Sequence, residues 1–134
     1  MSRSEVRPRV VVADNNPAII KVVSSLLKDC YEIVGTAADG KQALRLFREH
    51  SPSIVILDIA MPVMNGLEAA RQLRNKNHDC GVVFLTMYRD PEYIQVARDL
   101  KASYVFKSRM YTDLIAAMNA SLKGEIFVSP AATL

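Results

Sequence analysis

The segment IVILDIAMPVMNG, residues 54–66, combines the signals from which the fold of this chain can be predicted. Its first four residues are isoleucine, valine or leucine, with no alternation of apolar and polar positions. Such a run is typical of a strand in a parallel sheet that helices cover on both faces. Asp58 follows the run directly, Pro62 fixes the loop that leaves the strand, and Gly66 permits a conformation that other residues resist. The segment therefore predicts a buried strand, a polar strand end and a rigid loop.

Further apolar runs of the same kind alternate with segments of helical period along the rest of the chain. The predicted strands are residues 10–13, 33–34 with their flanks, 54–57, 82–85 and 104–106. A regular alternation of strand and helix predicts a parallel sheet. Five such units predict an α/β fold of the flavodoxin-like (βα)5 type, a doubly wound sandwich with a five-stranded parallel sheet.

Helix boundaries are predicted from capping residues and from the spacing of apolar residues. Asn16 followed by Pro17, and Asp90 followed by Pro91, each place a capping side chain before a proline at the first helical position. The predicted starts of the first four helices are Asn16, Asp39, Asn65 and Asp90, and the fifth helix stops at Gly124.

The length of 134 residues predicts one domain with a single site. We assign residues 1–8 to an N-terminal extension and residues 9–124 to the domain itself. Residues 125–134 contain a short apolar piece, then Ser129, Pro130 and small residues. This composition predicts the start of a connector.

The charge and cysteine content exclude several classes of function. The net charge is +3, and no run of basic residues is interleaved with aromatic residues, so this chain is not expected to bind DNA itself. Cys30 and Cys80 are far apart and fit neither a disulfide scaffold nor a zinc site. Neither a signal peptide nor a membrane span is present in the sequence, which predicts a cytoplasmic protein without membrane contact.

Polar side chains stand at the carboxyl ends of four predicted strands, where open α/β sheets bind their ligands. They are Asp14 with Asn15, Asp58, Thr86 and Lys107. Two carboxylates about 4 Å apart repel each other by about 4 kcal/mol at an effective dielectric constant of 20. A cation is therefore expected between Asp14 and Asp58, either Lys107 or a divalent ion bound through oxygen ligands. The sequence has no glycine-rich phosphate loop, so a nucleotide is not the expected ligand.

This combination of residues resembles the receiver domains of bacterial two-component response regulators, and the resemblance spans nearly the whole chain. It implies that Asp58 accepts a phosphoryl group from a cognate sensor histidine kinase. It also implies a Mg²⁺ cofactor, held by Asp14, Asp58 and the backbone carbonyl of Ala60.

The same resemblance assigns roles to three residues of the last two strands. Thr86 matches the hydroxyl that moves to bind the phosphoryl oxygen, and Tyr104 matches the aromatic residue that swings inward with it. Lys107 matches the ammonium that contacts the acceptor carboxylate or the phosphoryl group. Asp58, Thr86 and Lys107 are thus the expected reactive set, and Thr86 and Tyr104 the expected switch.

Within the family, LTMYRDPEYI (residues 85–94), KSRMYTDL (residues 107–114) and GEIFVSP (residues 124–130) resemble the NarL/LuxR-type branch. This branch often continues into a helix-turn-helix domain. The resemblance implies that phosphorylation switches a partner or homodimer surface and so controls transcription, with DNA bound only through a separate domain that is not in this chain.

Asn15 departs from the family pattern, which usually has a second metal-binding acid at this position. An amide oxygen can bind Mg²⁺ but brings no charge, so Asn15 is a further candidate ligand of lower strength. The substitution leaves open an alternative, a phosphorylation-independent pseudo-receiver that acts as an interaction module.

A second alternative is an enzyme, a phosphatase or phosphotransferase that uses an aspartate nucleophile at a strand end. Such enzymes carry a DxD motif at the nucleophile, in which the second carboxylate serves as acid and base. Ala60 stands at that position here. We therefore expect a signalling domain that is not an enzyme.

Overall fold

Five strands and five helices alternate in the computed structural model, which describes residues 6–76 and 79–131. The strands are β1 (Arg9–Ala13), β2 (Glu32–Ala37), β3 (Ile54–Leu57), β4 (Gly81–Thr86) and β5 (Ser103–Phe106). The helices are α1 (Pro17–Leu27), α2 (Gly40–His50), α3 (Gly66–Lys76), α4 (Pro91–Asp99) and α5 (Met110–Leu122). Residues 1–5 of the predicted extension and 132–134 of the predicted connector lie outside the described residues.

All five strands are parallel, and their order across the sheet is β2-β1-β3-β4-β5. The predicted flavodoxin-like (βα)5 fold is thereby confirmed. The chain reverses its direction of winding between β1 and β3, so the carboxyl ends of these two strands border the crevice where such sheets bind ligands.

Helices cover both faces of the sheet because successive strand residues point to opposite sides. On one face, Val11, Val55 and Phe84 pack with the apolar residues of α2, α3 and α4. On the other face, Val12 and Ile56 pack with the apolar residues of α1 and α5. The central strand β3 is therefore buried along its whole length and has no polar position, as its uninterrupted apolar run predicted.

Side chains cap three of the four predicted helix starts. Asn16, Asp39 and Asn65 each accept a hydrogen bond from a backbone N–H in the first turn. Asp90 occupies the cap position of α4, but its side chain makes no such bond. Asp90 is thus the N-cap residue of α4, as predicted, but without a side-chain bond; its backbone carbonyl accepts from the N–H groups of Tyr93 and Ile94.

Two further sequence expectations concern the cysteines and the membrane. Cys30 is exposed, Cys80 is buried, and both are free thiols. Burial raises the pKa of Cys80 to about 11, although the charge of Arg74 opposes this shift, so its thiol stays protonated at neutral pH.

Among residues 6–76 and 79–131, no helix combines the length and the apolar character needed to cross a membrane.

Candidate functional site

Four polar residues meet at one edge of the sheet because they end neighbouring strands. Asp14 follows β1 and Asp58 follows β3, while Thr86 ends β4 and Lys107 follows β5. Asp14 is 3% exposed, Asp58 is 5% exposed and Thr86 is fully buried. Burial of two carboxylates without a cation would be strongly unfavourable, so their charges must be compensated locally.

The ammonium of Lys107 bridges the two carboxylates. Its Nζ lies 2.8 Å from Asp14 Oδ2 and 3.1 Å from Asp58 Oδ2, to which it donates a hydrogen bond. Burial lowers the pKa of Lys107, but the bonds and charges of Asp14 and Asp58 outweigh burial and raise the pKa above its usual value. Lys107 is therefore the positive charge that compensates the carboxylates in this structure.

The two oxygens of Asp14 have different surroundings. Oδ1 accepts a hydrogen bond of 2.8 Å from the N–H of Asn16. Oδ2 is buried and lies 2.8 Å from the ammonium of Lys107, but among the described residues no other group donates a hydrogen bond to it. A buried carboxylate oxygen of this kind can accept a further cation, because its lone pairs are incompletely used.

The oxygen donors near this point suit Mg²⁺ but carry little charge. Asp14 and Asp58 are carboxylates, whereas Asn15 offers an amide oxygen and Ala60 a backbone carbonyl, and both of these residues are exposed. Within the part of the chain that the structure describes, no group of three or more acidic, histidine or cysteine side chains could hold a metal ion. The oxygen donors are of the type that a hard divalent cation binds, but only two of them, Asp14 and Asp58, are anionic, because Asn15 carries an amide.

The backbone of Tyr88 connects the two residues expected to form the switch. Thr86 Oγ1 accepts a 3.3 Å hydrogen bond from the N–H of Tyr88, and the hydroxyl of Tyr104 donates a 2.9 Å bond to the carbonyl of Tyr88. Tyr104 is fully buried between the rings of Phe84 and Phe106, so its side chain has the inward orientation.

Tyr88 was missed by the sequence analysis. It takes part through its N–H and carbonyl groups, which every residue except proline carries, so no side-chain signal marks it.

Burial, followed by the charges of Asp90, Tyr93 and Asp58, raises the pKa of Tyr104. The hydroxyl therefore remains a hydrogen-bond donor to Tyr88.

Gly66 is needed beside Asp58 because of close packing. A Cβ atom on Gly66 would lie 2.0 Å from the carbonyl oxygen of Asp58, a distance that no side chain tolerates. The N–H of Gly66 also donates a 3.0 Å bond to the carbonyl of Ile59. The prediction of a special backbone conformation at Gly66 is wrong, since Gly66 is not among the residues with positive φ.

The strained residue of this loop is Val63. Its φ is +68°, a value that a β-branched residue rarely adopts. The N–H of Met64 donates a 2.6 Å bond to the carbonyl of Pro62, which closes a tight three-residue turn around Val63. The Val63 side chain is 77% exposed, so packing does not offset the strain at this position.

Val63→Gly is expected to stabilise the domain by about 1 kcal/mol, which corresponds to a rise in Tm of about 3–4 °C. Glycine removes strain of about 1–3 kcal/mol and costs about 0.5–1 kcal/mol in backbone entropy. Thermal melts of the two proteins test this. Val63→Ala is the control, because alanine keeps a Cβ at positive φ, and an equal gain from alanine would contradict the strain explanation.

Comparison with known proteins identifies the family of the chain. A family model described as the response regulator receiver domain matches residues 10–119. The chain therefore belongs to the family of response regulator receiver domains, which are signalling modules of two-component systems.

Individual relatives agree with this family and with its NarL/LuxR-type branch. The chain is 32% identical to the transcriptional regulatory protein YdfI of Bacillus subtilis, with 91% of this chain and 58% of YdfI covered. It is also 32% identical to the oxygen regulatory protein NreC of Staphylococcus carnosus, with 93% and 59% covered. The chain thus spans a little under six tenths of these curated relatives.

A solved structure with the same fold comes from the LuxR family of two-component response regulators, in an Aurantimonas species. It superposes with a TM-score of 0.84 and 30% identity, over 92% of this chain and 90% of that chain. The likeness extends over nearly the full length of both chains, so the shared fold supports the family assignment made from the sequence.

Proposed function

We propose that this receiver domain is a phosphoacceptor, in which Asp58 takes a phosphoryl group from a cognate histidine kinase with Mg²⁺. The observation that carries the proposal is the position of Lys107, whose ammonium touches both Asp14 and Asp58. A buried pair of carboxylates that shares one lysine ammonium is suited to receive an anionic group, because the ammonium can transfer its contact to the new oxygens.

The chemistry depends on positioning and charge. Phosphorylation replaces the single negative charge of the Asp58 carboxylate by an acyl phosphate that carries about −1.5 to −2 charges and three acceptor oxygens. Lys107 and the Thr86 hydroxyl supply one cation and one hydrogen-bond donor to these oxygens. Asp14, Asp58, the Ala60 carbonyl and the Asn15 amide would hold Mg²⁺, which supplies two positive charges to the phosphoryl group when bound. Stabilisation of this kind is the main requirement of phosphoryl transfer.

The switch is proposed to run through Thr86 and Tyr104. When the Thr86 hydroxyl turns toward the phosphoryl oxygens, its bond from the N–H of Tyr88 must change. The carbonyl of Tyr88 also holds the hydroxyl of Tyr104, so both residues respond together. Tyr104 lies in β5, and Tyr88 precedes α4. We therefore expect phosphorylation to change the partner or homodimer surface near α4 and β5.

The output is proposed to be control of transcription by a longer protein. Residues 125–134 would begin the connector to a helix-turn-helix domain that alone contacts DNA, and the protein would act in the cytoplasm without turnover of a substrate. The printed names of the relatives support this, since YdfI and NreC are regulatory proteins of which the chain covers only part.

The test is intact-mass analysis after treatment with acetyl phosphate and Mg²⁺. We expect one phosphoryl group per chain, and chelation of the Mg²⁺ should prevent its addition. If the chain gains no phosphoryl mass from acetyl phosphate or from any small phosphodonor, the proposal fails and an interaction module without phosphorylation takes its place.

Asn15→Asp is expected to bind Mg²⁺ on the order of tenfold more tightly and to be phosphorylated faster by small phosphodonors, because it adds an anionic ligand. Without metal the variant should melt lower than wild type, since three carboxylates then share one lysine. Added Mg²⁺ should reverse this loss through binding linkage.

Paired thermal melts with and without millimolar Mg²⁺ measure both effects on wild type and Asn15→Asp. Asn16→Asp is a suitable control, because it adds the same charge at the neighbouring position. The side chain of Asn16 caps α1 by accepting a hydrogen bond from the N–H of Ala18 and is not a proposed metal ligand. A larger Mg²⁺-dependent rise in wild type than in Asn15→Asp would show that the amide is an adequate ligand.

Thr86→Ala is expected to leave phosphorylation measurable but to weaken phosphorylation-dependent dimerisation by at least about tenfold. The reason is the loss of one hydrogen bond to a charged group, which contributes about 1.5–3 kcal/mol. Sedimentation of phosphorylated samples measures the dimer. Thr86→Ser keeps the hydroxyl and should dimerise like wild type, whereas undiminished dimerisation of Thr86→Ala would contradict the switch.

A further inference from the structure

The segment after α5 returns to the sheet and lies along the free edge of β5. Tyr104 and Val128 form a parallel bridge. The N–H of Tyr104 donates a 2.8 Å bond to the carbonyl of Phe127, and the N–H of Ser129 donates a 2.8 Å bond to the carbonyl of Tyr104. These bonds satisfy backbone groups that an edge strand would otherwise leave unpaired.

Ser129 anchors this segment with its side chain. It is only 3% exposed, and its hydroxyl donates a 2.8 Å bond to Asp113 Oδ2 of α5. Ser129 Oγ also accepts a 3.1 Å bond from the N–H of Phe106 at the end of β5. One hydroxyl thus joins the C-terminal segment, the last strand and the last helix.

The charge of Asp113 fixes the direction of the hydroxyl bond. Burial raises the pKa of Asp113, but the hydrogen bonds from Arg109 and Ser129 and the charge of Arg109 together lower it. Arg109 donates from Nε at 2.7 Å and from a terminal nitrogen at 3.3 Å. An ionised Asp113 can only accept, so Ser129 must donate to it and keeps its lone pairs for the N–H of Phe106.

These contacts fall on the part of β5 that carries the site. Phe106 directly precedes Lys107, whose ammonium reaches Asp14 and Asp58, and Tyr104 lies in the same strand. The end of β5 therefore cannot shift without changing the bonds made by Ser129. None of this was visible in the sequence analysis, which treated Ser129 as part of a connector.

We propose that Ser129 is a positioning residue for the phosphoacceptor site. With Asp113 as its acceptor, Ser129 holds the end of β5 where Lys107 reaches the carboxylates, and docking of residues 127–129 is coupled to occupancy of Asp58. The inference rests on the function proposed above, and it makes the C-terminal segment a regulatory part of the domain.

Coupling of this kind is reciprocal. If the docked segment favours the geometry in which Lys107 contacts the acceptor group, then occupancy of Asp58 must favour docking by the same factor. Loss of the anchor weakens binding at the site, and binding at the site protects the segment. A residue that only stabilises the fold has neither effect.

The experiment titrates the full chain with beryllofluoride, which stands in for a phosphoryl group on a carboxylate, in the presence of Mg²⁺. We expect Ser129→Ala to bind at least about fivefold more weakly than wild type, at the lower end of typical coupling. In wild type, beryllofluoride should slow hydrogen exchange at the amides of Tyr104, Phe106 and Ser129.

Tyr31→Phe is the matched control, because it removes another buried hydroxyl that donates a 2.7 Å bond, in this case to Asn119. It should lower Tm to a similar extent while its affinity for beryllofluoride stays within about twofold of wild type. Asp113→Asn is a second variant. It removes the charge of the group that accepts from Ser129 and also the ion pair with Arg109, so it should weaken binding at least as much as Ser129→Ala. Adding Ser129→Ala to Asp113→Asn should then have less effect than Ser129→Ala has in wild type, because the Ser129 contact is already weakened.

The outcomes separate the two proposals. If wild type binds no beryllofluoride with Mg²⁺, the proposed function fails and this inference fails with it. If wild type binds, but Ser129→Ala and Asp113→Asn bind equally well, or if Tyr31→Phe loses as much affinity, Ser129 has only a structural role and the inference alone is overturned.

Discussion

Asp58→Asn is expected to abolish the gain of phosphoryl mass completely. An amide has no carboxylate oxygen to attack a phosphodonor, and it presents no charge to the ammonium of Lys107, which now lies 3.1 Å from Asp58 Oδ2. Intact-mass analysis after acetyl phosphate and Mg²⁺ measures the change, from one phosphoryl group per chain to none.

The control for this variant is Asp99→Asn. Asp99 is an exposed carboxylate that accepts a bond from Gln95, and as the last residue of α4 it lies near the start of β5 and not at the carboxyl ends of the strands. This protein should be phosphorylated as wild type is. A phosphoryl group found on another carboxylate of Asp58→Asn would show that the acceptor has been assigned to the wrong residue.

Gly66→Ala is expected to cause the largest loss of stability, about 3 kcal/mol or more. Its Cβ would meet the carbonyl oxygen of Asp58 at 2.0 Å and the carbonyl carbon at 2.8 Å. Overpacking in a core costs about 1–3 kcal/mol when side chains can adjust, and here the obstacle is the backbone at a strand end. We also expect slower phosphorylation, because relief of the clash moves Asp58 relative to Lys107.

Urea denaturation measures the free energy of unfolding of Gly66→Ala against wild type. Gly124→Ala is the matched control, since nothing lies within 4 Å of its Cβ position although its φ is +76°. It should cost only about 1 kcal/mol, the penalty for a Cβ in the left-handed region. A loss of less than about 1 kcal/mol for Gly66→Ala would refute the close-packing explanation.

The strands and helix starts could be predicted because their causes are local. The run Ile54–Leu57 is buried on both faces, as its composition indicated. Asn16 caps the first helix through a bond two residues along the chain. Asp90 is the predicted N-cap residue of α4, but its carboxylate makes no capping bond, and the residue type alone does not show this.

The candidate site was only partly predictable. Asp14, Asp58, Thr86 and Lys107 were recognisable as polar residues at strand ends, but their roles remain proposals. Tyr88 and Ser129 were missed for two reasons. Tyr88 acts through backbone atoms, and Ser129 meets its partners, Asp113 and Phe106, at separations of 16 and 23 residues. Neither arrangement leaves a periodic pattern in the sequence.

Local chemistry in the chain was sufficient to establish the alternation of strands and helices, the family resemblance and the set of polar strand ends. The tertiary structure alone decided the strand order, the bridge from Lys107 to both carboxylates and the docking of Ser129 on β5. The physical reason is that periodicity and caps are interactions between near neighbours. Packing distances and hydrogen bonds between remote segments depend on how the whole sheet is assembled.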